Sequence, residues 1–320
     1  MTVKRTYIFT NAFKLDKVGN GWFARITFLI LVLLQFFFNI YTPGDSDFAP
    51  LMTFVNDMME DPQAFLLANP PPELPISEGN IVFLVSGLLL SCFVIFCVFL
   101  FCGMNLRIGR KLLNEKVASI PLIIFRSIVL TIISSFLLGL VLSLSYFLMI
   151  IAVFVLPVLM VIPGHYLSGE AGLFASIKNG INNSKGSYFT LSTNLLLILL
   201  TDMGLEIVYY LASILGLDTA ALIFISAICN TYFYLLIGMM MMYLYLHVSS
   251  PKIQAEIKRQ RQIEDMLVKM EMDRYYKSLQ NTTKQGSFNK AEEEKTREED
   301  KSNEKHDDSD DGESTMDDEK

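Results

Sequence analysis

From Ser119 to Pro163 the chain carries a single charged residue, Arg126, in 45 positions. As one helix, at about 1.5 Å per residue, that stretch would reach about 67 Å. The hydrocarbon core of a bilayer is about 30 Å thick and is crossed by roughly 20 apolar helical residues. Such a stretch does not fit the surface of a water-soluble domain, and inside a membrane it has to turn back on itself. The expected turn is Ser143–Tyr146. It divides the stretch into helices of about 121–142 and 147–163.

Four more apolar runs have the length of a span. They cover about 22–41, 81–103, 188–215 and 220–248. Trp22 and Tyr41 stand at the two ends of the first as interfacial anchors. The pattern predicts an all-α integral membrane fold, a six-helix transmembrane bundle over 22–248. Hydrophobic residues make up 52% of the chain, which suits that class.

Charge gives an independent check on the hairpin, because loops on the cytosolic side are enriched in Lys and Arg. The arm 1–21 is basic. The loop 42–80 holds Asp45, Asp47, Asp57, Glu60, Asp61, Glu73 and Glu78 without any Lys or Arg. Arg107, Arg110, Lys111 and Lys116 follow the second run, Lys178 and Lys185 follow the fourth, and Lys252, Lys258, Arg259 and Arg261 follow the sixth. Only Asp218 lies between the fifth and sixth. Fusing the third and fourth helices would break this alternation. The expected topology puts both termini in the cytosol, in a plasma membrane. The first run acts as a signal anchor, since no small-residue cleavage site follows it.

Segments outside the spans divide by composition. Leu51, Phe54, Val55, Met58 and Met59 have helical spacing, so loop 42–80 should contain a short amphipathic helix. Pro70, Pro71, Pro72 and Pro75 then make a stiff connector. Residues 171–186 read as an amphipathic helix on the cytosolic interface, with Leu173, Ile177 and Ile181 recurring every four positions. Gly180 weakens that helix. Ser250-Pro251 reads as the start of a cytosolic helix over 249–280. Ile263, Met266 or Leu267, and Met270 form a thin stripe on it, short for a coiled coil. The final segment, 281–320, holds 15 acidic and 7 basic residues and a single Phe. That composition predicts a disordered tail. It also accounts for the net charge of −7, and the nearly neutral remainder has no basic field for nucleic acid.

Catalytic patterns are absent from the sequence. No HExxH, GxSxG, phosphate loop or paired-cysteine motif occurs, and no cofactor or metal is implied. Cys92, Cys97, Cys102 and Cys229 lie inside apolar runs and read as small fillers of helices. His165 and Glu170 read as a polar collar at the bilayer edge. Met239–Met242 occupy four successive positions and so point all round their helix, which suits packing better than a metal path.

Asp202 and Glu206 are the residues with a physical claim on function. Spaced i,i+4, they share a face of the fifth helix, and ionisable groups in a span usually face a bundle interior or an aqueous path. A bend at Gly204 would let Asp202 reach water. Arg126 lies within two turns of the cytosolic end of its helix and can snorkel. By depth it falls short of Asp202, for which Asn230 is the better hydrogen-bond partner. Ser135, Gly139 and Ser143, and likewise Gly87 and Ser91, are placed where helices would touch.

From Leu156 to Leu200 the sequence resembles a pattern of uncharacterised bacterial multi-span proteins. In it an apolar helix ends near Pro-Gly, a short amphipathic helix follows, and a Gly precedes the next span. Pro163-Gly164, Ala175, Ser184 and Gly186 occupy those places. The groups sharing it are the DUF975-type proteins, the YciC-like proteins and the membrane domain attached to some glycerophosphodiester phosphodiesterases, with the YesL-like DUF624 group as a rival. The resemblance implies a six-helix domain in a bacterial plasma membrane and no activity. Two functions stay open. One is a non-enzymatic membrane protein that organises or regulates a partner through 249–280 or the acidic tail. The other is a small-solute transporter using Asp202 and Glu206.

Overall fold

The structure is a computed structural model. It describes residues 7–15, 21–63, 73–143, 155–259, 262, 263, 265–267, 269–272 and 274, with backbone alone over 138–143. Contacts divide the chain into two units, Met1–Glu256 and Ile257–Lys320. In the second unit every described residue is helical. The expected tail 281–320 lies outside the described residues.

Helix is the one regular secondary structure among the described residues of the first unit. In chain order it comprises α1 (Tyr7–Ala12), α2 (Trp22–Tyr41), α3 (Ala49–Glu60), α4 (Glu78–Leu112), α5 (Ile120–Ser143), α6 (Ile162–Leu167), α7 (Leu173–Ser184), α8 (Tyr188–Ile214) and α9 (Thr219–Ser249). Five of these, α2, α4, α5, α8 and α9, are long and apolar enough to cross a membrane. Their most apolar windows are only 17–28% buried. Leu29 on α2, Leu88 and Leu89 on α4, Phe125 and Phe136 on α5, and Leu196 on α8 all point outward. A surface this apolar suits hydrocarbon and not water.

Between α5 and α6, residues 144–146 of the expected turn Ser143–Tyr146 and residues 147–154 of the fourth expected span lie outside the described residues. The chain reappears as a short apolar helix, Val155–Leu167, with a turn at 160–161 before α6. Its end lies beside the start of α5. A Cβ placed on Gly169 would be 3.0 Å from the Cβ of Ala118, and Arg126 reaches the carbonyls of Tyr166 and Ala171. The apolar stretch therefore begins and ends at one end of the bundle, here called the basic end.

α9 is the central helix and packs on α1, α2, α4, α6, α7 and α8. This explains the methionine run, since Met239, Met240, Met241 and Met242 are all buried. A helix surrounded on every side needs an adaptable side chain in every direction. Two glycines let neighbouring helices close on α9. A Cβ on Gly238 would lie 3.1 Å from the carbonyl oxygen of Val98. A Cβ on Gly164 would lie 2.3 Å from the Cβ of Tyr245, a distance no side chain permits.

Helix ends follow local chemistry. The Ser77 hydroxyl accepts from the Asn80 backbone N–H at 3.0 Å, and the Asn80 side chain accepts from the Ser77 N–H at 3.0 Å. This is a capping box with Asn at the third position. The same Asn80 amide donates to the carbonyls of Asp45 and Asp47, which ties the loop after α2 to the head of α4. Asp218 caps α9 by accepting from the Ala221 N–H at 3.0 Å. Ser250 breaks α9 in an extended conformation, and a new helix begins at Pro251.

Two features differ from the sequence expectation. α4 continues nine residues beyond Gly103, so Arg107, Arg110 and Lys111 lie on helix and not in a loop. Positive charge at the C-terminus of a helix complements its dipole, which favours continuation. The described part of the arm 1–21 also packs against the bundle, which its sequence reading did not include. α1 packs against α8 and α9, with Ile8 and Ala12 wholly buried. Burial of Tyr7, Ile8, Phe9, Phe13 and Leu15 against the core draws it in.

Candidate functional site

Two polar regions stand out from the apolar bundle. The first is a buried charged cluster at the basic end. α4 terminates with Asn114 in the left-handed conformation, φ 54°. Two bonds close the turn, from Glu115 N–H to the Arg110 carbonyl at 2.9 Å and from Asn114 N–H to the Lys111 carbonyl at 3.0 Å. This Schellman arrangement folds Glu115 back over the Arg110 side chain. Arg110 is buried and donates to Glu115 at 3.3 Å, to Glu170 and to the Ser168 carbonyl. The second oxygen of Glu115 accepts from the Ser250 hydroxyl at 2.6 Å. One guanidinium thus holds together the end of α4, the loop after α6 and the end of α9.

His165 sits in the same region, just beyond the fourth expected span. Its Nε2 is 3.1 Å from the Ser249 hydroxyl, and its ring meets Tyr245 edge-on at 4.9 Å. Burial pulls its pKa down to about 4, against the opposing pull of Glu170. The imidazole is therefore neutral near pH 7. On the other flank the Arg126 guanidinium stands 4.6 Å from the centre of the Tyr166 ring. It is committed to backbone carbonyls, with Ala171 at 2.9 Å. The Arg110 guanidinium and both Glu115 oxygens have protein partners, which makes this cluster a fastener of helix ends.

The second region is on α8. Asp202 is half-buried at the edge of the contact with α9, and Glu206 is exposed. α8 packs on α9 and, near Asn194, on α1. Met203, Ile207, Tyr210, Leu211 and Ile214 are exposed beside the two carboxylates. Asn230 donates to the Ser226 hydroxyl at 3.3 Å and not to Asp202. Gly204 lies within an unbroken α8, and a Cβ there would meet nothing within 4 Å. Asp202 and Glu206 thus share one face of α8, Asp202 half-buried and Glu206 exposed, and neither bonds Arg126 or Asn230 among the described residues.

An interhelical cavity of about 620 Å³ lies between α2, α4, α5 and α9. Neither Asp202 nor Glu206 lines it. Gly87 and Ser91, expected at a helix contact, line this space instead; a Cβ on Gly87 would meet only the tip of Phe38, at 3.9 Å. Ser135 does meet a neighbour, with its hydroxyl 3.4 Å from the Cys92 sulfur. All four cysteines are free. Among the described residues no three His, Cys, Asp or Glu side chains gather as metal ligands.

Sequence reasoning missed the burial of Arg110 and of α1. A signal for α1 was present, since Tyr7, Ile8, Phe9, Phe13 and Leu15 crowd five apolar residues into nine positions. No family model, curated protein or solved structure matches this chain.

Proposed function

We propose that this chain is a multi-pass membrane protein without catalytic activity, one that organises or regulates a membrane partner. The observation that carries this reading is the outward placement of Asp202 and Glu206 on α8. Carboxylates within a span usually face protein or an aqueous path. Here they neither enter the bundle core nor line its cavity, so a partner helix with donors at the same depth is the natural complement. The transporter reading would need both carboxylates along a path through the bundle, and the cavity runs elsewhere.

We further read the bundle as six spans in a plasma membrane with both termini cytosolic. The return of the 119–163 stretch to the basic end supports an even number of crossings. The segregation of Lys and Arg to that end supports the sidedness. The likeness of Leu156–Leu200 to the DUF975, YciC-like and related bacterial groups is a proposal on the same footing.

The test is photo-crosslinking in native membranes from the full chain, with the reactive side chain at Met203 or Ile207. A discrete protein adduct is expected, falling about tenfold in D202N/E206Q, as loss of one charge-assisted contact would give. Adducts to lipid alone would overturn the proposal.

A further inference from the structure

The cavity between α2, α4, α5 and α9 has a polarity gradient. α4 and α9 both run from the acidic end of the bundle, which carries Glu78 and Asp218, toward the basic end. On α4 the cavity is lined first by Gly87 and Ser91 and then by Val94, Ile95, Val98 and Phe99. On α9 it is lined first by Asn230 and Tyr234 and then by Ile237 and Met241. α2 runs the opposite way and contributes Gln35 and Asn39 from its last two turns. From Gly87 to Phe99 the lining extends about 18 Å along the helix axis. One end thus mixes amides and hydroxyls with Phe38 and Leu90, and the other is hydrocarbon alone.

The polar end is short of partners. Asn39, Ser91, Ser134 and Tyr234 make no side-chain hydrogen bond among the described residues. Gln35 uses its amide N–H on Thr231 at 3.2 Å and Asn230 uses its own on Ser226, and neither side-chain oxygen has a hydrogen bond among the described residues. Asn39, Ser91 and Asn230 are exposed, and where hydrocarbon faces such groups they are unfavourable unless a polar ligand covers them. The volume falls within the range of small-molecule sites, about 300–1,000 Å³, and the mixture of apolar wall and few polar groups is the usual one. No charged side chain lines it, so a charged headgroup would enter without a counter-ion.

We infer that this cavity binds a neutral single-chain amphiphile drawn from the bilayer. Its hydroxyl or ester head sits among Asn39, Ser91, Asn230 and Tyr234, and its hydrocarbon tail lies along Val98 and Ile237 toward the basic end. The inference does not rest on the partner reading and would stand if that reading failed.

Native mass spectrometry of the full chain in detergent tests it, with monooleoylglycerol, oleate and dioleoyl phosphatidylcholine offered at equal concentration. One monooleoylglycerol is expected to be retained, at least about tenfold over oleate or the phospholipid, the scale of one well-made polar interaction set. Asn39→Leu with Tyr234→Phe removes unpaired polar groups, so it should fold at least as stably as the parent while losing most of the retained ligand. Ser91→Phe should exclude the ligand by filling the space, and Leu196→Phe on the outer face of α8 should leave it bound. Equal retention of all three lipids, no retention of any, or undiminished retention in the Asn39→Leu/Tyr234→Phe protein would each overturn the inference.

Discussion

The hydroxyl of Tyr7 lies 2.9 Å from Nδ1 of His247, a buried bond between residues 240 positions apart. It joins the first described helix to the last turn of the central one. The two rings are also in contact, with centroids 5.6 Å apart. Burial raises the Tyr7 phenol pKa, so it stays protonated at every physiological pH. Two residues on, the Phe9 N–H donates to the Asn194 side chain at 2.8 Å. α1 is therefore keyed into the bundle by polar bonds at both ends of a wholly buried Ile8.

If α1 is an integral part of the bundle, its truncation should be felt as a core mutation. Tyr7→Phe is expected to lower stability by about 0.5–1.5 kcal/mol, the loss of one hydrogen bond. Ile8→Ala should cost about 2–5 kcal/mol, as for other buried aliphatic side chains. Thermal melts of detergent-solubilised protein would measure both. Wild-type melting of Ile8→Ala would show that the arm is dispensable.

Gly164 and Gly204 should respond oppositely to alanine. At Gly164 the new Cβ would meet Tyr245 at 2.3 Å, and the overpacking should cost about 1–3 kcal/mol or more. At Gly204 the Cβ meets nothing, and the helix gains up to about 1 kcal/mol. A fluorescence-detected size-exclusion melt of Gly164→Ala and Gly204→Ala side by side checks the pair. Equal behaviour would contradict the close approach of α6 to α9.

His165 should make the fold acid-sensitive. Its pKa is pulled down to about 4 on folding, from an unfolded value of about 6.5. Between those values the unfolded chain binds the extra proton, so this residue's contribution to stability falls as pH drops from about 6.5 to about 4. Above pH 6.5 it adds no slope. His165→Phe keeps a ring against Tyr245 and removes the titration. The difference in melting temperature between wild type and His165→Phe should therefore change across pH 6.5–4 and stay flat above it. A constant difference would show that His165 does not titrate with folding.

How much could be read before the structure depended on whether a property was local. The helical character of Trp22–Tyr41 and of the long apolar runs was legible, because hydropathy and span length act on each segment alone. The need for the 119–163 stretch to turn back was legible for the same reason, as was the packing role of Met239–Met242 from the way a helix points four successive side chains. Arg110 was not, because an Arg after an apolar run looks the same in a loop as on a buried helix end. What distinguishes it is Glu170, 60 positions away, together with the Asn114 turn that folds Glu115 over it.

The outward face of Asp202 and Glu206 belongs to the same class. Their shared face follows from i,i+4 spacing, but which way it looks depends on where α9 lies. The cavity is further still from the sequence, since it is defined by side chains that fail to meet across four helices. By itself, then, the sequence determined the helices, the lipid-suited surface and the segregation of charge, all set by each residue's own transfer free energy and by the 3.6-residue turn. Only the tertiary structure decided that α1 is buried, that Arg110 fastens the basic end and that a polar-headed cavity opens beside Gln35, because each of these depends on contacts between residues far apart in the chain.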